Sequence, residues 1–185
     1  RSKYIKPFKE SIKQGVGSIM ISYNSWHGKK LHGHKYLIND ILKQELGFKG
    51  FVVSDWAGIN EIDKDYKVSI IESINAGIDM VMVPGSLNPD HDSYDDFIRL
   101  AIESIKEGSI PMNRIDDAVT RILKIKKKIG LFDGPIKKAQ NTNMVGSKKH
   151  RELARESVRK SVVLLKNENK LLPIGKSGKK ITFVG

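Results

Sequence analysis

The chain has 185 residues, 39% of them hydrophobic and 29% charged, enough to bury the core of one domain or slightly more. Its net charge is +12, but the surplus is mostly Lys spread along the whole chain. Few Arg are available for bidentate phosphate contacts, and no aromatic interleaves with the densest basic run, residues 124–128, so this run reads as a solvated helix face and not a nucleic-acid surface. The absence of cysteine excludes disulfides and thiolate metal sites, and no apolar run approaches the roughly 18 residues of a membrane span.

Helix and strand signals alternate. Residues 3–14 place Ile5, Phe8 and Ile12 on one helical face, and Gly15 supplies a stop. Residues 18–23 are a short apolar run of strand type, followed by a polar loop over 24–34. A helix is expected over 35–46, with Leu37, Ile38, Ile41, Leu42 and Leu46 inward and Gly47 ending it. The run 51–54 is a second strand that closes on Asp55 and Trp56. A loop around Asp63 leads to a helix over 66–76, with Val68, Ile71 and Ile74 inward and Gly77 at its end. Residues 78–83 form a third strand, broken by Pro84 and Gly85.

These strands are continuously apolar, as burial on both faces requires, and their starts are spaced like successive βα units. Right-handed crossovers then lay them side by side in a parallel sheet. Two helices follow, over 94–107 (Phe97, Ala101, Ile102, Ile105 inward) and 112–129 (Ile115, Val119, Ile122, Ile129 inward). Periodicity vanishes between 133 and 149, which marks a linker. Beyond it come a helix over 148–160, a strand over 162–165, a turn at 167–170 and a strand over 181–184. The chain opens inside a helix and closes inside a strand, so it reads as a piece cut at both ends. Three parallel strands cannot close a barrel, and their edge would stand unprotected.

Several residues invite a chemical reading. Asp55 stands where an apolar strand ends, a place for a catalytic carboxylate but also for a helix N-cap or loop ion pair. Tyr23 ends the neighbouring strand, either near the site or as a packing residue. Trp56 offers a flat apolar platform to a sugar face, or a cap on the rim. Trp26 is a second platform or a loop-packing residue. His27, His32 and His34 fit a metal site only weakly, since their loop holds no carboxylate, and a solvent-facing loop is expected. Asp79, at the beginning of its strand, is expected to be structural, and nothing promotes Glu61, Asp63 or Asp65.

Five ordered segments carry a resemblance. They are Gly17-Ser-Ile-Met-Ile-Ser-Tyr-Asn-Ser-Trp26; Asn39-Asp-Ile-Leu-Lys-Gln-Glu-Leu-Gly-Phe-Lys-Gly-Phe-Val-Val-Ser-Asp-Trp56; Ala76-Gly-Ile-Asp-Met80; Arg121-Ile-Leu-Lys124 with Gly130-Leu-Phe-Asp133; and His150-Arg-Glu-Leu-Ala-Arg-Glu-Ser-Val-Arg-Lys-Ser-Val-Val-Leu-Leu-Lys-Asn167 with Leu171-Leu-Pro173. In order and spacing they resemble family 3 glycoside hydrolases, within them the β-glucosidase and exo-β-glucan glucohydrolase branch. The resemblance implies an α/β chain: the C-terminal part of a (β/α)8 TIM-type barrel over 1–132, a linker over 133–149, and the start of an αβα sandwich domain over 150–185.

It also implies release of terminal β-D-glucosyl residues with retention, from β-linked glucosides or gluco-oligosaccharides. No cofactor, metal, nucleic acid or membrane is expected on this reading. Asp55 falls on the family's nucleophile, Tyr23 on a tyrosine near that nucleophile and the sugar, and Trp56 on the tryptophan lining the aglycone side. A retaining enzyme needs an ionised carboxylate to attack the anomeric carbon and a second carboxyl group about 5–5.5 Å away. The family's acid/base glutamate and further sugar-binding groups fall outside this sequence, so the missing parts of a parent chain are needed to complete the site. By resemblance, a periplasmic or extracellular location is favoured. Two alternatives stand beside this one: a β-N-acetylhexosaminidase of the same fold, and a non-catalytic carbohydrate-binding remnant.

Overall fold

The structure is a computed structural model describing residues 2–84, 93–135, 142–175, 177–178 and 180–182. The chain divides into two units, Arg1–Ile136 and Lys137–Gly185.

In the first unit, helix α1 (Ser2–Lys13) precedes strand β1 (Ser18–Met20). Strand β4 (Phe51–Val53) pairs with β1 in parallel, Ser18 against Phe51 through Met20 against Val53. The third expected strand joins more lightly. Met80 makes a single parallel bridge to Val53, and the main chain from Asp79 to Met82 bonds to residues 52–57 without forming a longer ladder. Gly50 is required where the two leading ends meet, because a Cβ there would strike the Gly17 carbonyl.

Two further segments of this unit differ from expectation. The loop over 24–34 folds into a small antiparallel hairpin, β2 (Ser25–Trp26) with β3 (Lys29–Lys30), and then a 3₁₀ turn over Leu31–Gly33. The expected helix over 35–46 is π-helical over Tyr36–Glu45, with Leu46 N–H bonding back five residues to the Ile41 carbonyl at 2.9 Å. The wider coil turns Lys43 inward alongside Ile38, Ile41 and Leu42.

Helices α2 (Tyr66–Ala76), α3 (Tyr94–Lys106) and α4 (Met112–Lys128) follow. Asp65 caps α2 by accepting the Lys67 N–H, and Ser93 caps α3 by accepting that of Asp96. One core gathers Ile19, Ile38, Leu42, Phe48, Val52, Ile59, Ile70, Ile74, Ile78 and Ile110. Ile12, Phe97, Ala101, Ile105 and Ile115 pack on it as the helical periodicity predicts, whereas Ile102, Val119 and Ile129 are exposed. On the β1 side an apolar groove of about 300 Å³ runs between α1 and the π-helix, lined by Tyr4, Phe8, Met20, Ile21 and Leu37 among others. Gly85 of the expected turn lies outside the described residues.

Beneath the sheet, at the leading end of its strands, charges converge. The Asp79 carboxylate is fully buried, accepts the Val52 N–H at 2.8 Å and pairs with Lys43 at 2.7 Å and with Arg114. Arg114 also donates to the Ile74 and Ile78 carbonyls, and Arg121 to those of Phe48 and Gly50. Asp117 joins Arg114, Arg121 and Lys43 at 2.7, 2.9 and 3.6 Å. Asp79 is therefore structural, as its position at the strand's beginning implied.

In the second unit, Ser147 caps α5 (Lys148–Ser161). Residues 162–165, expected as a strand, are exposed and form no strand with the described residues, with Leu165 at 92%. An apolar run without a partner strand has nowhere to satisfy its main-chain groups except solvent. Asn167 closes the following turn through Leu172, accepting its N–H and donating to its carbonyl. Residues 181–182 carry no strand, and the rest of the last expected strand lies outside the described residues.

Asp79→Ala is expected to cost about 3–5 kcal/mol by removing the fully buried acid shared by Lys43 and Arg114 and leaving them only the half-exposed Asp117, read as a lower denaturant midpoint at unchanged slope. Asp117 gives a pH signature. Burial opposes its charge, but Lys43, Arg121 and Arg114 hold its carboxyl below the usual range. A folded pKa below the unfolded one contributes stability above the unfolded value, lost as pH falls through the folded one. Stability should therefore fall below about pH 4, and Asp117→Asn should flatten that fall.

Candidate active site

The trailing end of β4 shows how three strand ends converge. Ile21 N–H bonds to the Val53 carbonyl at 3.0 Å and Ser54 N–H to that of Met80 at 2.9 Å, after which the chain leaves the sheet. Asp55 is the first residue beyond this ladder. Its main chain is held on both sides by groups other than strands. The Asp55 N–H donates to His32 Nε2 at 3.0 Å, while its carbonyl accepts the Ser54 hydroxyl at 2.9 Å and the Gly58 N–H at 3.0 Å. The fully buried Ser54 hydroxyl also accepts the Met82 N–H at 2.8 Å, tying in the third run.

The turn over 55–58 places Ala57 in the left-handed region, at φ 53°, and its N–H on the Met82 carbonyl at 3.1 Å. Asp55 Oδ1 accepts the N–H of Trp56 at 2.7 Å, and Oδ2 has no hydrogen-bond partner among the described residues. The Trp56 side chain is 59% exposed beside it.

Tyr23 follows β1 and is 41% exposed, its ring tilted against that of His32 at 5.9 Å between centroids. Partial burial, with the Asp55 and then the Glu61 carboxylate nearby, pushes its phenol above the usual tyrosine range, so at neutral pH it remains protonated and a donor. Charge and the shared imidazole link Tyr23 to Asp55, and no phenol–carboxylate hydrogen bond forms among the described residues.

The histidine loop differs from expectation. His32 is fully buried and His34 half-buried; only His27 faces solvent. Burial, and less strongly Lys30, push His32 below the usual histidine range against the pull of Asp55, so the ring is neutral at neutral pH. His34 is lowered too, first by burial. The hairpin folds the loop inward. Lys29 pairs with Glu72 at 3.4 Å and Lys30 with Glu61 at 3.2 Å, so His32, directly after β3, is carried under Asp55. Trp26 packs against His27, His34 and Tyr36 while 44% exposed. Among the described residues no group of three His, Asp or Glu is arranged to hold a metal.

Sequence reasoning thus named the three side chains at the rim and missed their support: His32, Ser54 and Gly58. The available signal was a glycine three residues beyond Asp55. A Cβ on Gly58 would overlap the His32 imidazole, so the turn admits no side chain there. Gly58→Ala is expected to lower stability by about 1–3 kcal/mol through this overlap. Gly175→Ala, with open space around it, should stay within about 0.5 kcal/mol, both read from melting temperatures.

Known proteins resemble this chain in sequence and fold. Residues 1–125 match the family described as the Glycosyl hydrolase family 3 N terminal domain. A protein named "Beta-xylosidase" from Formosa agariphila is 36% identical over 182 residues, covering 94% of this chain and 25% of its own length. "Probable beta-glucosidase L" of Emericella nidulans is 40% identical over 184 residues, covering 94% and 23%. The crystal structure of an exo-1,3/1,4-beta-glucanase from a Pseudoalteromonas species superposes with a TM-score of 0.71 at 42% identity, covering 89% of this chain and 20% of that one. The chain thus spans about a quarter of the length of the curated relatives it matches. It belongs to glycosyl hydrolase family 3, whose N-terminal domain is a TIM-barrel-type α/β fold.

Proposed function

We propose that this chain is the nucleophile-bearing part of a longer retaining, exo-acting β-glucosidase-type hydrolase that releases terminal β-D-glucosyl residues. In this reading residues 1–132 are the C-terminal portion of the barrel, 133–149 the linker and 150–185 the start of a second, sandwich domain. The observation that carries the reading is the Asp55 carboxylate, presented just beyond the last strand bond with its main chain clamped on both sides.

The rim beyond the C-terminal strand ends is where barrel enzymes build their sites. An Asp55 oxygen attacks the anomeric carbon as the bond from that carbon to the leaving oxygen breaks. A carboxyl group from outside this sequence delivers a proton to the leaving oxygen and then takes one from the water that hydrolyses the glycosyl-enzyme. Tyr23, protonated, donates to the sugar or to the carboxylate once a ligand draws them together, and Trp56 gives the aglycone side an apolar platform. Substrates are β-linked glucosides and gluco-oligosaccharides.

A second substrate reading has a specific support, the β-xylosidase name of one relative, since a xyloside differs only in lacking the sugar's hydroxymethyl arm. Chromogenic β-glucoside, β-xyloside and β-N-acetylglucosaminide assayed on the longer polypeptide separate the candidates. The glucoside is expected to turn over fastest. Asp55→Asn should lower kcat by at least about 10⁴-fold with the fold intact by circular dichroism. Turnover retained in that variant removes Asp55 from the mechanism. Trp56→Ala should raise KM more than it lowers kcat, the mark of lost uniform binding.

A further inference from the structure

We propose that His32 is a positioning residue for Asp55: the neutral Nδ1–H tautomer offers Nε2 as a fixed acceptor that sets where the Asp55 carboxylate points. The proposal rests on the reading of Asp55 as nucleophile and adds a residue to it.

Four observations converge. First, the parallel ladder ends one residue short of Asp55, so its N–H has no strand partner and takes the imidazole instead, at 3.0 Å. A nitrogen that accepts carries no proton, which assigns the proton to Nδ1. Second, the ring is fully buried, and Gly58 lies so close that a Cβ there would overlap Nε2, Cε1 and Cδ2 alike. The ring is thereby closed in on the Gly58 side, with Nδ1 buried and without a hydrogen-bond partner among the described residues. Third, the ring of Tyr23 leans on the same imidazole, so one side chain sets the placement of two rim residues. Fourth, the carboxylate is already committed at Oδ1 to the next N–H, at 2.7 Å, so rotation of the Asp55 peptide would carry the side chain with it. An imidazolium has no lone pair for this task, and burial works against forming one. Among the described residues His32 makes no hydrogen bond to the Asp55 carboxylate, only to its N–H, and no proton transfer to substrate is assigned to it. It acts through the main chain of Asp55.

The test uses the longer polypeptide with an aryl β-glucoside, in three variants. His32→Leu removes the acceptor while keeping an apolar filler. His32→Gln places Oε1 as many bonds from Cα as Nε2 and restores an acceptor. Asp55→Asn serves as the reference for the nucleophile. His32→Leu is expected to lower kcat about 100-fold, since a displacement near 1 Å at the reacting group has effects of that order, with KM within about threefold. His32→Gln should recover turnover to within about tenfold of the unmutated protein. Trapping of Asp55 by a 2-deoxy-2-fluoroglucoside should slow in parallel. Nitrogen-labelled histidine should show Nδ1 protonated and Nε2 bare in the unmutated protein, and this measurement together with the Gln variant carries the test where the Leu variant does not fold. Undiminished kcat in His32→Leu, a Gln variant no better than Leu, or a proton on Nε2 overturns the proposal and leaves the function reading standing. Turnover retained in Asp55→Asn removes the nucleophile and the positioning role with it.

Discussion

One buried carboxylate organises the first unit. Asp79 lies under the leading end of the strands, where it accepts the Val52 N–H and meets Lys43 from the π-helix and Arg114 from α4. Two cations on one fully buried acid would be costly if either lost its partner, so the three elements that supply them are constrained together. Arg114 and Arg121 then carry the constraint to the carbonyls of residues 74, 78, 48 and 50, the turns entering β4 and its lighter neighbour.

The trailing end of the same strand is held by a different chemistry. There the partners of the main chain are neutral: the His32 imidazole on one side of Asp55, and the Ser54 hydroxyl on the other. A neutral acceptor is suited to this position because it leaves the carboxylate as the local negative charge and does not draw it into an internal ion pair. The result is polarity along one strand, with paired charges at its start and an accessible acid at its end. On the proposed reading of Asp55, stability and chemistry are thereby separated by the length of β4, the division expected of barrel strands.

The hairpin over 25–30 connects the two sides of the site. It carries no core of its own, yet its lysines reach Glu61 and Glu72, and its descending strand delivers His32 beneath Asp55. Surface ion pairs of this kind contribute little stability individually, so their effect is on placement. On the proposed reading, the same hairpin positions the imidazole against which Tyr23 leans, and Trp26 with His34 and Tyr36 stiffens its base.

The order of elements was legible in the sequence because local physics sets it. Apolar periodicity marked α1 through α4, glycines marked the ends of α1, the π-helix and α2, and continuous apolar runs marked β1 and β4 as strands; burial of β1 on both faces was expected but is not found, since Ile19 is buried while Ser18 and Met20 are exposed. Asp55 was legible for the same reason, since an acid that closes an apolar run has to sit at a strand end. The structural part of Asp79 was readable from its place at the start of its run. What sequence could not supply was any contact whose partner lies far along the chain. His32 looked like a loop residue because burial is decided by what folds over it, and Gly58 became informative only once the imidazole was seen beside it. The run 162–165 forms no strand with the described residues for the converse reason: β-propensity is local, but a strand exists only when another offers its hydrogen bonds. Sequence alone determined the order of the main helices and paired strands of the first unit and the end at which Asp55 and Asp79 lie. Tertiary structure decided which of them meet, because hydrogen bonds and buried charges between distant segments depend on a geometry that no local pattern encodes.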